Sequence, residues 1–153
     1  MRDLASSEPA SAEVVAGTAP GARRGLPWRV IALVGGDALA FVAFAALGRR
    51  SHGEANAVAE VLWTAFPFAL AWFLVAPWLS AYRRAQTDGP RRMLARTELA
   101  WLASYPLALL LRWALSADHQ VPVSFAAVIL VANAVLLGGW RGVFALIEQA
   151  RRP

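Results

Sequence analysis

Four polar side chains lie inside long apolar segments, where each is costly unless it binds a ligand or another polar group. Asp37 lies about nine residues into the first segment, about 13–14 Å along a helix and near the middle of a bilayer. Asn133 reaches a similar level in the last segment, and Tyr105 and Arg112 lie in the third. A buried carboxylate needs a partner or takes a proton. We therefore expect Arg112, Asn133 or Tyr105 to contact Asp37.

This predicted polar cluster has two interpretations, and the residues alone leave both open. In the functional interpretation it binds a small polar group or relays a proton, because ionisable side chains at membrane depth mark functional sites. In the structural interpretation the same groups satisfy one another and fix the register of the helices.

Four predicted transmembrane helices position these residues. Of the 153 residues, 58% are hydrophobic and 16% are charged, whereas soluble domains average about 45–50% and about 25%. A hydrocarbon core of about 30 Å requires about 20 apolar helical residues. Four segments have this length, at about residues 28–47, 59–79, 97–116 and 122–141. The sequence therefore predicts an all-α, integral membrane four-helix bundle.

The two ends of the chain differ in composition from this bundle. Residues 1–27 are rich in Ala, Ser, Gly and Pro and have no apolar core of a secretory signal before the first arginine pair. Because they cannot bury enough apolar surface to offset chain entropy, they predict a disordered cytoplasmic tail. The membrane domain is expected at residues 28–147, and residues 148–153 at a cytoplasmic C-terminal end.

The distribution of arginine predicts the orientation of the bundle. With four spans, the N terminus, the middle loop and the C terminus share one side of the membrane. That side carries 12 of the 15 basic residues, and the opposite side carries Arg49, Arg50 and Arg112. By the positive-inside rule, we expect both termini in the cytoplasm and the protein in the plasma membrane.

The composition excludes several classes of site. Because there is no Cys, there are no disulfides, thiolate metal sites or iron–sulfur ligands. The presence of only two His residues disfavours an all-protein haem or zinc cage. No Ser/His/Asp constellation, phosphate loop or H-E-x-x-H motif is present. We expect no cofactor, no metal and no enzymatic activity. The arginines flank apolar segments, so the lipid bilayer is the expected partner and nucleic acid is not.

Gly138 and Gly142 form a G-x-x-x-G motif at the end of the last helix. Small residues at this spacing let two helix backbones approach closely. The motif predicts either a homodimer or close packing within the bundle, and the sequence leaves both open.

Several short motifs resemble one family of small prokaryotic membrane proteins, DUF3054. They are GDALA at 36–40, ALGRRSHG at 46–53, TAFPF at 64–68, LR at 111–112, SF at 124–125 and GWR at 139–141. The resemblance covers about residues 28–145 and implies a four-helix membrane protein with no established activity. It directs attention to the polar members of the motifs, which are Asp37, Arg49, Arg50, His52, Arg112 and Arg141.

These observations favour a small-ligand binding or transport protein with a polar pocket between its helices. The candidate ligand-binding residues are Asp37, Arg49, Arg50, His52, Tyr105, Arg112, Asn133 and Arg141. The basic residues at one end of this pocket would favour an anionic headgroup or a carboxylate. The alternative is a structural or accessory subunit whose polar residues only fix helix packing. An enzyme acting on a lipid is disfavoured, because no paired carboxylates or metal motif appear.

Overall fold

A computed structural model describes residues 28–51, 53 and 57–151 of the chain. Its helices are α1 (Trp28–Ser51), α2 (Val58–Val75), α3 (Pro90–Leu115) and α4 (Val123–Ala150), with one 3-10 turn at Arg84–Gln86. Each helix packs on the next, and α4 returns to pack on α1, while α1 and α3 lie on a diagonal. The predicted all-α bundle is confirmed. The predicted tail at 1–27, His52 and residues 152–153 lie outside the described residues.

The helices differ in length from the predicted apolar segments. α3 begins at Pro90, after Gly89 with a φ of 83°, because proline suits the first turn of a helix. α4 continues to Ala150. α2 ends at Val75, since Pro77 lacks the amide that would continue the helix. The predicted bounds came from the number of apolar residues that span a bilayer. Backbone hydrogen bonds also form between polar residues, so α3 and α4 extend beyond the apolar segments.

Three of these helices, α1, α2 and α4, are long and apolar enough to cross a membrane. α3 has an apolar second half but carries five charged side chains, which are Arg91, Arg92, Arg96, Glu98 and Arg112. The length and composition of these helices therefore indicate a membrane protein. The fourth crossing and the side on which the termini lie remain predictions.

Several polar side chains are buried inside the bundle, while many large apolar side chains lie on its outer surface. Asp37, Asn133 and Arg141 are fully buried, whereas Leu39, Val131 and Val135 are 68%, 62% and 66% exposed. Exposing such an apolar surface to water is unfavourable in free energy, whereas contact with the hydrocarbon of a bilayer is not. This arrangement supports assignment of the chain to the membrane.

An aromatic cluster holds the helices together at the centre. The ring of Phe41 on α1 lies 6.3 Å from that of Trp72 on α2 and 5.9 Å from that of Trp101 on α3. Trp101 also donates a hydrogen bond from Nε1 to the carbonyl of Leu130 on α4, at 2.9 Å. All four helices thus meet around three large side chains.

Candidate functional site

The two ends of the bundle carry different polar groups. We call the end that contains Trp28, the α2–α3 connection (76–89) and Ala150 the lower end. The upper end contains Ser51, Val58 and the α3–α4 connection (116–122).

A buried ion pair joins α1 to α4 toward the lower end. Asp37 and Arg141 are both fully buried. Arg141 donates from Nε to Oδ1 of Asp37 at 2.8 Å and from Nη2 to Oδ2 at 2.6 Å. This two-pronged geometry is the strongest that an arginine and a carboxylate form. The pair therefore fixes α1 against α4.

The other polar atoms of the pair are satisfied by α2 and by the connection that follows it. Oδ2 of Asp37 also accepts hydrogen bonds from Nε1 of Trp72 at 3.0 Å and from the hydroxyl of Tyr82 at 2.7 Å. Arg141 donates from Nη1 to the carbonyl of Ala81 at 2.9 Å. Its guanidinium lies 5.0 Å from the centre of the Trp72 ring and 4.8 Å from that of Tyr82. We call Asp37, Arg141, Trp72 and Tyr82 the buried clamp.

Tyr82 acts in this clamp as a permanent hydrogen-bond donor. Burial raises the pKa of its hydroxyl above the ordinary value, and the adjacent charge of Asp37 raises it further. The phenol therefore keeps its proton at physiological pH and donates it to the carboxylate.

The predicted partners of Asp37 are wrong. Tyr105 donates its hydroxyl to the carbonyl of Ala126 at 2.8 Å, and Asn133 donates from Nδ2 to the carbonyl of Ile129 in its own helix at 3.0 Å. Tyr105 and Arg112 belong to α3, which lies diagonally opposite α1. The observed partner is Arg141, which lies at the end of the last apolar segment. The positive-inside rule assigned it to the 12 arginines on the cytoplasmic side.

Asp37 also lies at a different level of the bundle than expected. Its contacts with Tyr82, and those of Arg141 with Ala81, place the pair beside the α2–α3 connection rather than midway along the bundle. The prediction counted residues from the start of the first apolar segment and estimated the depth of Asp37 in a bilayer. In fact α1 and α4 extend beyond the lower end of α2.

A second ion pair joins these extensions. Arg29 of α1 donates from Nε to both carboxylate oxygens of Glu148, at 2.8 and 3.0 Å. Its Nη2 donates to the hydroxyl of Thr87 at 3.0 Å. Between the two pairs, the indole of Trp140 occupies the space where a Cβ of Gly36 would lie. Sequence reasoning missed this pair because Arg29 also fits the arginine count of the positive-inside rule.

The upper end brings together two of the predicted arginines. Arg112 places its guanidinium 5.6 Å from the centre of the Phe125 ring, and its buried Nε has no hydrogen-bond partner among the described residues. Arg49 forms an ion pair with Glu60. Arg49 and Arg112 both line a cavity of about 190 Å³.

The walls of this upper cavity are mainly apolar. They include Phe44, Phe125 and Val128, with Thr64 as a polar member. A more open groove of about 590 Å³ shares Arg112, Phe125 and Val128 with it. Neither lining includes Asp37 or Arg141. The pocket predicted to extend from Asp37 to the arginines is therefore two separate features, the buried clamp and the upper cavity.

The remaining predicted site residues and glycines lie apart from the cavity. Arg50 is exposed and outside the lining of the upper cavity. A Cβ at Gly138 would collide with the carboxylate of Glu98 on α3, and one at Gly142 would lie 3.5 Å from Leu94 on α3. The glycines therefore accommodate α3 of the same chain. A homodimer through them stays a prediction.

Comparison with known proteins gives one match. A family model described as "Protein of unknown function (DUF3054)" matches residues 34–144. No curated protein and no solved structure matches the chain. The matched segment includes the buried clamp and the arginines of the upper cavity. It confirms the resemblance that the short motifs indicated.

Proposed function

Since this chain belongs to the DUF3054 family of proteins of unknown function, we propose its function from the geometry of its two ends. It is a polytopic membrane protein that binds a small anionic group, a carboxylate or a phosphate, in the upper cavity. Arg112 carries this proposal, because its Nε is buried at the wall of that cavity without a partner among residues 28–51, 53 and 57–151.

The chemistry of the cavity favours an anion. An unsatisfied buried guanidinium nitrogen costs free energy, and a ligand oxygen that accepts its hydrogen bond recovers that cost. Arg49 adds a second positive charge, while its partner Glu60 remains half exposed. The apolar surfaces of Phe44 and Phe125 lower the local dielectric constant and strengthen the attraction between an anion and the arginines. A cavity of about 190 Å³ suits a small ligand or one group of a larger one.

Binding accounts for this geometry better than passage through the bundle. The upper cavity lies at one end, and its lining does not reach Asp37 or Arg141. The clamp is closed, with each guanidinium nitrogen of Arg141 donating a hydrogen bond. We therefore propose that Asp37 supports the fold and that the ligand contacts Arg112 and Arg49. No catalytic step is part of the proposal.

A titration with defined anions tests the proposal. The Tm of the detergent-solubilised protein is measured by tryptophan fluorescence against acetate, hexanoate and inorganic phosphate. At 100 times its Kd, a ligand stabilises the protein by about 2.7 kcal/mol, so at least one anion should raise the Tm, and the rise should grow with the logarithm of its concentration. Arg112→Gln should reduce the rise, and Arg112→Lys should restore part of it. Arg50→Gln removes an equal charge outside the cavity and is the matched control.

Two results would contradict anion binding in the upper cavity. One is a ligand response that survives unchanged in Arg112→Gln. The other is the absence of any concentration-dependent rise in Tm for all three anions in the wild-type protein. The second result would favour the alternative function.

The alternative is an accessory membrane subunit that acts through a partner protein. The closed clamp favours it, because a polar network whose members satisfy one another fixes a unique packing without binding anything else. In that case the protein would be recovered bare from nanodiscs by native mass spectrometry. Its purification in mild detergent would yield a stoichiometric second protein.

We also propose four membrane crossings, with both termini in the cytoplasm of the cell. The upper cavity would then open away from the cytoplasm. A reporter that is active only outside the cytoplasm should give no signal when fused after Pro153 and a strong signal when inserted at residues 52–56. A strong signal at Pro153 would contradict the four-crossing topology.

A further inference from the structure

A cavity of about 210 Å³ lies at the lower end, where α1 begins and α4 ends. Its lining includes Arg29, Arg84, Arg151 and Glu148, with Trp28 and Phe144 as aromatic walls. Its volume is several times the space that one water molecule needs. It is separate from the upper cavity and shares no lining residue with it.

The charges around this lower cavity do not balance. Three arginines face one carboxylate, so the lining carries a net charge of three minus one, or +2. Glu148 is already engaged by Nε of Arg29 through both oxygens. The side chains of Arg84 and Arg151 make no ion pair or hydrogen bond with the described part of the chain. The excess positive charge is therefore available to a ligand.

Arg29 provides a second, independent observation. It is only 6% exposed, and its Nε and Nη2 have partners in Glu148 and Thr87. Its Nη1 is buried and has no partner within residues 28–51, 53 and 57–151. Leaving a charged donor unpaired in a buried position is costly, and an oxyanion in the adjoining cavity would supply the missing acceptor.

From these observations we propose that the lower cavity binds an anionic phosphate group. A phosphate presents several strong acceptor oxygens in a tetrahedral arrangement, so it accepts hydrogen bonds from arginines on three sides. Arg29, Arg84 and Arg151 line the cavity from three separate segments, which are α1, the α2–α3 connection and the residue that follows α4. The phosphate belongs either to the headgroup of an anionic phospholipid or to free inorganic phosphate.

The aromatic walls give the lipid source a physical basis. Trp28 is 63% exposed, and its ring lies 6.0 Å from that of Phe144. Tryptophan at the end of a membrane helix favours the interface between headgroups and hydrocarbon. A phospholipid whose phosphate occupied the cavity would lay its glycerol region against these rings. Free phosphate would make no use of them.

The experiment uses delipidated full-length protein in an uncharged detergent. Binding of inorganic phosphate, dihexanoyl phosphatidylglycerol and dihexanoyl phosphatidylcholine is measured by native mass spectrometry and by tryptophan fluorescence. The test variant Arg84→Gln/Arg151→Gln removes two exposed arginines of the lining and leaves the Arg29–Glu148 pair intact. The control Arg83→Gln/Arg91→Gln removes the same charge from exposed positions outside this lining.

We expect saturable binding of phosphatidylglycerol or of phosphate to the wild-type protein and to the control variant. At about 1 kcal/mol for each arginine near the membrane surface, the test variant should bind at least about tenfold more weakly. Phosphatidylglycerol bound in preference to phosphate identifies the lipid headgroup as the source. Phosphate bound without phosphatidylglycerol identifies the free ion. Measurements repeated in the Arg112→Gln background separate this site from the upper cavity.

Three results would overturn the proposal. They are equal binding of phosphatidylcholine, equal weakening in the test and control variants, and the absence of saturable binding of both anionic probes. The upper cavity is tested separately by its dependence on Arg112 and by acetate and hexanoate, which the lower-cavity experiment does not use. The two proposed sites can therefore be confirmed or contradicted independently.

Discussion

The two ends of the bundle differ in how their arginines pair with carboxylates. At the lower end, Arg29 and Arg141 each pair with a carboxylate, and each also binds the α2–α3 connection. At the upper end, Arg112 leaves its buried Nε unpaired, and Arg49 meets Glu60 at an exposed position. Arginines that hold helices together are thus found where carboxylates accompany them. Arg112, which forms no ion pair within the described residues, lines the upper cavity.

The two lower ion pairs both fix the alignment of α1 with α4 along their axes. Asp37 and Arg29 are eight residues apart on α1, while Arg141 and Glu148 are seven apart on α4. At about 3.6 residues per turn, both separations are close to two turns of an α-helix. Antiparallel helices can form both pairs only in one alignment, so each pair reinforces the other.

The largest effect is expected when the buried clamp loses its charge. Asp37→Asn keeps the volume of the side chain but leaves the guanidinium of Arg141 without its counter-charge. Breaking one partner of a buried pair costs about 3–5 kcal/mol, which should appear as a lower free energy of unfolding in detergent. Asp118→Asn, at an exposed position of the α3–α4 connection, is the control and should change it by less than about 0.5 kcal/mol. The double variant Asp37→Leu/Arg141→Met should recover most of the loss.

The next effect concerns Tyr82, which links the clamp to the α2–α3 connection. Tyr82→Phe removes a hydrogen bond to a carboxylate, worth about 1.5–3 kcal/mol, and should lower the free energy of unfolding by about that amount. A loss as large as that of Asp37→Asn would mean that Tyr82, rather than Arg141, carries the clamp.

The same residue should give the wild-type protein a sensitivity to alkaline pH. Burial, followed by the charge of Asp37, raises the pKa of Tyr82 in the folded protein. The folded state therefore holds this proton more tightly than the unfolded state, in which the pKa of tyrosine is about 10. The contribution of this proton to the free energy of unfolding is complete below about pH 10. It is lost as the pH rises through the pKa of Tyr82 in the folded protein. Measurements of Tm between pH 8 and 11.5 should show a smaller alkaline decline in Tyr82→Phe than in wild type.

A smaller effect is expected where α1 and α4 approach between the two ion pairs. A Cβ added at Gly36 would overlap the indole of Trp140, and overpacking of this kind costs about 1–3 kcal/mol. Gly35 offers a matched control, because a Cβ added there meets no atom within 4 Å. Gly35→Ala should be neutral or stabilising, since alanine favours helix. Equal changes in Tm for the two variants would contradict the close approach.

The smallest effect on stability is expected at the upper end. Arg112→Met removes a guanidinium whose Nε has no partner in the described residues. It should change the free energy of unfolding without ligand by about 1 kcal/mol or less, in either direction. A loss like that of Asp37→Asn would show that Arg112 holds the fold and would remove the contrast between the two ends.

Much of the fold could be predicted from composition, because the lengths of apolar segments identify helices without knowledge of their contacts. Asp37 could be identified as a polar group of interest for the same reason. Its partner could not, since an arginine that ends an apolar segment looks the same whether it faces headgroups or pairs with a buried carboxylate. The pairing depends on which helices are neighbours, and spacing along one helix does not determine that. Trp72 was missed as a donor because its indole also suits an apolar interior.

The sequence distance across the two ion pairs has a consequence for biosynthesis. Asp37 and Arg141 are 104 residues apart, and Arg29 and Glu148 are 119 apart. At about 5–20 residues per second, the ribosome takes several seconds or more to add α4 after it has made α1. Throughout that interval the first helix carries an acid and an arginine whose counter-charges have not been synthesised. A chain that terminates before α4 keeps this mismatch permanently, so completion of the last helix marks the point at which a nascent chain becomes a mature one.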